Sequence, residues 1–228
     1  MILAFDLDDT LYCERSYVES GLRAVAALGE ERFGWDSETS FRFMLDILER
    51  EGRGAIFDRW LQSHGHRSNR LIAECVRHYR HHRPRLALDP HAAALLPLLS
   101  DLPLYLVTDG HKIVQQIKVE ALGITPFFRR VFITHRFGRH RAKPSAYCFE
   151  RILATEGSDW RDLVYVGDNP AKDFVTLNAR GAHTVRVLTG EHRNVKAAPG
   201  YDAAHHIEHL GHLREILPHL SSDGEESL

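Results

Sequence analysis

The stretch Ile2-Leu3-Ala4-Phe5-Asp6-Leu7-Asp8-Asp9-Thr10-Leu11 decides the fold. Four apolar residues run straight into a cluster of acids. A short, wholly apolar run marks a strand buried on both faces, as in a parallel sheet covered by helices. The same signature recurs at Leu104–Val107, Val131–Thr134, Leu163–Val166 and Thr184–Val187. Helical patterns fill the gaps between the later runs. Ile113, Ile117, Ala121 and Leu122 form an apolar face that Gly123 closes, and further helices are expected over Ser145 to Ala154 and over Ala171 to Ala179, the last stopped by Gly181. This alternation, from about residue 89 onward, predicts an α/β fold with a parallel sheet and helices on both faces.

Roughly a hundred residues separate the first strand from the second, too many for a simple crossover. Three apolar stripes at helical spacing lie in that stretch: Val18, Leu22, Val25 and Leu28; Phe41, Met44, Leu45 and Leu48; and Leu71, Ile72, Cys75, Val76 and Tyr79. Gly34, Gly52-Arg53-Gly54, Ser63 to Ser68 and Pro84 break them apart. Residues 14–85 are therefore expected to form a small all-helical domain inserted over the sheet, with residues 1–13 and 86–220 as the core. Residues 221–228 are polar and are expected to be a disordered tail.

Bulk properties exclude several function classes. The formal net charge of -2 gives no general attraction to nucleic acid or anionic membrane. A basic run, Arg136-Phe137-Gly138-Arg139-His140-Arg141, is too isolated for a nucleic-acid surface and suits the approach of an anionic substrate better. No apolar run reaches the length of a membrane span, and no basic leader precedes the first strand, so a cytoplasmic protein is expected. Cys13, Cys75 and Cys148 form no CxxC pair, which argues against a disulfide framework or cysteine-bound zinc. Sixteen histidines cluster at His78/His81/His82, His135/His140 and His205/His206/His209/His212. His205–His209 and His209–His212 would suit chelation on a helix, but the expected reading is a solvated, His- and Arg-rich surface, since histidine spacing alone rarely makes a closed site.

Open parallel sheets bind ligands outside the carboxyl ends of their strands. There the chain places Asp6 and Asp8, then Thr108-Asp109-Gly110, then Lys143-Pro144, then Gly167-Asp168 with Asp173 beyond. Carboxylates brought together repel one another unless a cation or proton intervenes. Magnesium, a hard ion that keeps water and phosphate in its shell, is the natural cation for such oxygen ligands. Thr108 and Lys143 can then hold phosphate oxygens, and phosphoryl transfer needs little beyond positioning and charge. Asp6, at the strand tip, is the candidate nucleophile, and Asp8 the candidate proton carrier. Each residue also has an ordinary structural reading. Thr108 or Asp168 can cap a helix, Lys143 can be a surface charge beside Arg139 and Arg141, and Asp173 can complement a helix dipole.

Phe5-Asp6-Leu7-Asp8-Asp9-Thr10-Leu11, Val107-Thr108-Asp109-Gly110, Lys143-Pro144 and Gly167-Asp168 with Asp173 resemble, in order and spacing, the four motifs of the haloacid dehalogenase-like hydrolases. The resemblance spans residues 2 to about 190. It implies a Rossmann-like core with a mobile helical cap and a magnesium-dependent phosphatase acting on a small phosphorylated metabolite through an aspartyl-phosphate. By the same resemblance, Asp6 is nucleophile and metal ligand. Asp8 is general acid/base, with its backbone carbonyl on the metal, and Asp168 is a metal ligand. Thr108 and Lys143 bind phosphate with Asp109 beside them, and Asp173 orients Lys143 or metal-bound water. Asp9 stands where many members have Gly, and Asp109 where many have Asn. Asp8 and Asp168 argue against dehalogenation; a phosphomutase and a catalytically silent binding relative remain as alternatives. Glu14, Arg15 and Tyr17 are the first candidates for substrate contact, and Glu191-His192 is placed to reach the same rim. Neither a P-loop nor a GxGxxG fingerprint is present.

Overall fold

A computed structural model describes residues 1–222. The chain divides into two compact units, one formed by Met1–Glu14 with the chain from Ala87 onward, the other by Arg15–Leu86.

The second unit is helical. It comprises α1 (Glu14–Phe33, whose first residue belongs to the other unit), α2 (Ser37–Glu51), α3 (Ile56–Ser63) and α4 (Asn69–His81). Asp36 starts α2 by accepting the Thr39 N–H at 2.8 Å, and Ser68 starts α4 by accepting the Leu71 N–H at 3.4 Å. Such caps satisfy amides that the first turn leaves without partners. The expected stripes turn inward: Val18, Leu22 and Val25 from α1 meet Phe41 and Met44 from α2 and Cys75 from α4. Trp60 and Leu61 complete this core from α3, a short helix that none of the stripes announced.

The other unit contains a six-stranded sheet: β1 (Ile2–Phe5), β2 (Leu104–Thr108), β3 (Arg130–Ile133), β4 (Leu163–Gly167), β5 (His183–Val187) and β6 (His205–Ile207). The spatial order is β3-β2-β1-β4-β5-β6, and every neighbouring pair is parallel. All of β1, β2 and β4 is buried, as their uninterrupted apolar runs require. Helices α5 (Pro90–Leu98), α6 (Lys112–Leu122), α7 (Tyr147–Glu156), α8 (Val175–Arg180) and α9 (Leu213–Ser222) accompany it. On one side of the sheet Ile2, Ala4, Tyr105, Val107, Phe132 and Tyr165 pack with Phe149, Ile152, Phe174 and Leu177. Gly123 ends α6 at φ 64°, a left-handed conformation that glycine adopts without Cβ strain.

Three details depart from the sequence reading. α8 begins at Val175 rather than Ala171, because a turn occupies the preceding residues. His205 and His206 belong to edge strand β6, so the helical spacing imagined for His205–His209 does not exist. Ser221 and Ser222 finish α9 instead of starting a tail, and residues 223–228 lie outside the described residues.

The strand order reverses direction at β1 and β4. In a sheet of this order the two crossovers lead away to opposite sides, leaving a crevice at the carboxyl ends of those two strands.

Candidate active site

Asp6 follows β1 directly and Asp168 follows β4 directly. Phe5 is paired with Val166, and the Asp6 N–H donates to the Val166 carbonyl at 2.8 Å, so the two acids stand on adjacent strand tips. Asp173 joins them through a tight turn. The N–H groups of Lys172 and Asp173 donate to the Asn169 carbonyl at 3.3 and 3.0 Å, while the Asn169 N–H donates to Asp173 Oδ2 at 2.9 Å. Gly167 makes this approach possible: a Cβ there would lie 2.7 Å from Asp173 Oδ2. One oxygen from each of Asp6, Asp168 and Asp173 falls within 4.8 Å of the others, and all three residues are buried.

Lys143 supplies the countercharge. Its Nζ lies 2.7 Å from Asp6 Oδ1, 2.7 Å from Asp173 Oδ1 and 2.9 Å from the Tyr165 hydroxyl. An ammonium has three N–H donors, and here each has an acceptor. Burial alone would discharge this lysine, but Asp173 and Asp6 outweigh it and hold its pKa well above the ordinary lysine value. One ammonium cannot balance three buried carboxylates. Burial pushes Asp6 up to about 6 against the pull of Lys143. Burial, with the charges of Asp6 and Asp173 behind it, pushes Asp168 up to about 9.

Asp8 faces a different set of partners. Its Oδ1 accepts from Lys118 Nζ at 2.7 Å and from the Tyr12 hydroxyl at 2.7 Å, and its Oδ2 accepts from Gln115 Nε2 at 2.8 Å. Gln115 Nε2 also donates to Thr108 Oγ1 at 2.7 Å, joining the loop after β1 to the end of β2. Asp9 lies at φ 53°, where L-residues other than Asn and Asp are uncommon. Its carboxylate accepts the Glu14 N–H at 2.8 Å and the Glu191 N–H at 3.3 Å, and its carbonyl accepts from the Thr189 hydroxyl.

Asp109 sits beside Thr108, yet its carboxylate is turned to protein donors. Thr134 Oγ1 donates to it at 2.6 Å and the Lys143 N–H at 3.1 Å. A carboxylate only accepts, so this side chain anchors the Lys143 loop.

Residues 1–181 match the family model described as haloacid dehalogenase-like hydrolase. The chain belongs to this family. It is 31% identical over 230 residues to the glyceraldehyde 3-phosphate phosphatase of Methanocaldococcus jannaschii, covering 97% of this chain and 98% of that protein. The glyceraldehyde 3-phosphate phosphatase of Methanopyrus kandleri is 29% identical over 228 residues, covering 93% and 96%. Among solved structures, the magnesium-bound hydrolase YfnB of Bacillus subtilis superposes with a TM-score of 0.69 at 19% identity, covering 95% of this chain and 97% of that one, a likeness of fold.

In this haloacid dehalogenase-like hydrolase the structure also places the remaining sequence candidates. Tyr17 is buried against Tyr79 and His82 inside the helical unit, with ring centroids 5.8 and 4.9 Å away, which removes it as a substrate contact. Arg15 is exposed and paired with Glu19 and Glu49, each at 2.7 Å. Glu14 Oε1 lies 3.2 Å from Lys118 Nζ. His192 does reach the loop after β4, where Asn169 Nδ2 stands 2.7 Å from its Nε2. Among the described residues no group of three histidines converges as ligands; His91, His209 and His212 stack ring on ring at 3.8 Å instead. In the basic run, Arg136 donates to Gln116 at 2.8 Å and Arg141 lies over the Tyr147 ring at 3.8 Å. No helix among the described residues is long and apolar enough to cross a membrane. Tyr12, Gln115, Lys118 and Tyr165 were missed by sequence reasoning. The only trace they leave is a glutamine and a lysine three apart on the helix that follows Thr108.

Proposed function

We propose that this hydrolase is a magnesium-dependent phosphatase that removes phosphate from a small phosphorylated metabolite through an aspartyl-phosphate on Asp6. The observation that carries the reading is the convergence of Asp6, Asp168 and Asp173 around Lys143 at the switch point of the sheet. The donor set fits a hard divalent cation. Three buried carboxylates lie around one ammonium, and burial together with their mutual repulsion raises the pKa of Asp6 and Asp168, so the set favours further positive charge. Asp6 and Asp168 would hold the ion through their side chains and Asp8 through its backbone carbonyl, since the Asp8 carboxylate is engaged by Tyr12, Gln115 and Lys118. Bound magnesium supplies charge that offsets the phosphate oxygens as they crowd toward the carboxylates.

The chain's own groups divide the rest of the work. A carboxylate oxygen of Asp6 attacks phosphorus, the bond from phosphorus to the ester oxygen breaks, and Asp8, which enters this step in its protonated form, gives that oxygen its proton. Water then loses a proton to Asp8 and attacks phosphorus, the bond to Asp6 breaks, and inorganic phosphate leaves. Lys143 turns to a phosphate oxygen the N–H that reaches Asp6 in this structure, while Asp173 and Tyr165 fix its ammonium in place. Thr108 donates its hydroxyl proton to another, and its oxygen already accepts from Gln115. The helical unit is the proposed substrate-selecting cap. The two relatives named for glyceraldehyde 3-phosphate direct the substrate reading toward short phosphorylated aldehydes and sugars. The test is phosphate release from glyceraldehyde 3-phosphate, sugar phosphates, nucleotides and p-nitrophenyl phosphate, with magnesium and with EDTA. Magnesium-dependent release supports the reading; release unaffected by EDTA, or none at all, contradicts it.

A further inference from the structure

Gln115 and Lys118 lie three residues apart on α6 and so share one helix face. Both are only 2% exposed. Lysine is almost never this buried unless paired, because its charge loses its hydration. Here Lys118 Nζ reaches Asp8 Oδ1 at 2.7 Å and Glu14 Oε1 at 3.2 Å. The orientation of the Gln115 amide follows from its neighbours. A carboxylate can only accept, so the NH2 end faces Asp8, and the second hydrogen of the same nitrogen serves Thr108 Oγ1. The Thr108 oxygen is thereby an acceptor within the protein, and its own proton is left to donate elsewhere.

We infer that Gln115 and Lys118 are positioning residues that set the Asp8 carboxylate for proton transfer and, through Thr108, tie that setting to the phosphate site. The inference rests on the phosphatase reading above and adds residues to its site. Proton transfer requires the acid within hydrogen-bond reach of the ester oxygen, and a carboxylate on a loop can rotate about its side-chain bonds. Lys118 and Tyr12 grip one Asp8 oxygen while Gln115 grips the other, so both oxygens of the group have a partner on α6. The rival is a purely structural staple between α6 and the loop after β1. The two differ in a measurable way, because a residue acting through Asp8 matters only where Asp8 matters.

The experiment compares kcat/KM for glyceraldehyde 3-phosphate, whose leaving alkoxide needs a proton, with p-nitrophenyl phosphate, whose leaving phenolate does not. All variants are made in the full chain and assayed with magnesium. Lys118→Met is expected to lower kcat/KM about 100-fold for the first ester and less than about 5-fold for the second. In an Asp8→Asn background the same change is expected to add less than about 2-fold, since the group it positions is already gone. Gln115→Met, which removes no charge but also frees Thr108, is expected to lower both esters by a few-fold with a further loss of at least about 10-fold on glyceraldehyde 3-phosphate alone, and it decides the matter if Lys118→Met does not fold. Equal losses on both esters, or losses that add fully to Asp8→Asn, overturn the inference and leave the phosphatase reading standing. A wild-type chain inert toward both esters overturns that reading itself.

Discussion

Asp168 shows how much a single residue can say about a site. Burial and two carboxylate neighbours raise it from 3.8 to about 9, so it binds a proton on folding throughout the intervening range. A carboxyl whose folded pKa is raised contributes its full stability below the unfolded value of 3.8, and that contribution is lost as pH rises toward about 9. Asp168→Asn removes the titration while keeping the shape. In EDTA the variant is therefore expected to match the wild type near pH 4 and to exceed it increasingly up to pH 9, as urea unfolding would measure. Magnesium should reverse the order at alkaline pH by stabilising the wild type alone; a gap that does not change with pH would contradict this account of the site. Lys143 carries the opposite charge in the same cluster. Lys143→Met leaves Asp6 and Asp173 without their shared partner, and breaking such a buried pair costs about 3–5 kcal/mol. A lowered denaturation midpoint with turnover lost is the expected outcome. The positions of Asp6, Asp168, Lys143 and Asp173 were readable because each directly follows an apolar strand or closes a loop between strands. Gln115 and Lys118 were not, since polar residues on an amphipathic helix ordinarily mark its solvent face, and only the fold shows that this face turns toward Asp8.

At the scale of an element, two substitutions weigh local propensity against packing. Gly29 sits inside α1, toward its C-terminal end, where alanine would favour the helix by about 1 kcal/mol. A Cβ at that position would lie 2.7 Å from the buried ring of Trp60, and overpacking a core costs about 1–3 kcal/mol. Packing wins, so Gly29→Ala is expected to lower stability by about 1 kcal/mol in guanidinium unfolding, and a stabilised variant would show that Trp60 moves aside freely. Asp89 accepts two amides at the start of α5, from His91 at 2.8 Å and Ala92 at 3.4 Å. Asp89→Ala is expected to cost about 1 kcal/mol, read from the same unfolding curves, with no change in KM. Elements were legible where pattern is long or wholly apolar, as in β1, β2 and β4. β6 was not, because His205-His206-Ile207 is a three-residue edge strand with two exposed histidines. α8 began late because the turn that carries Asp173 inward uses the residues a helix would otherwise have claimed, a long-range demand that local propensity does not express.

Over the whole molecule, the order β3-β2-β1-β4-β5-β6 brings together side chains from distant parts of the sequence. Asp6 and Lys143 are separated by 137 positions and meet at 2.7 Å. The topology was foreseeable as a parallel sheet from its apolar runs, but the neighbouring of β1 and β4, which sets Asp6 beside Asp168, becomes explicit only in the strand order. The proposed mechanism makes Asp6, just beyond the tip of β1, the covalent carrier. The most direct measurement is to mix the chain with p-nitrophenyl phosphate and magnesium, quench in acid during turnover, and map added phosphoryl mass among the peptides. One phosphoryl group is expected on the peptide containing Asp6, labile to hydroxylamine as an acyl phosphate is, and absent together with turnover in Asp6→Asn. Steady release of phosphate with no phosphorylated peptide, and with Asp6→Asn still fully active, would contradict this mechanism.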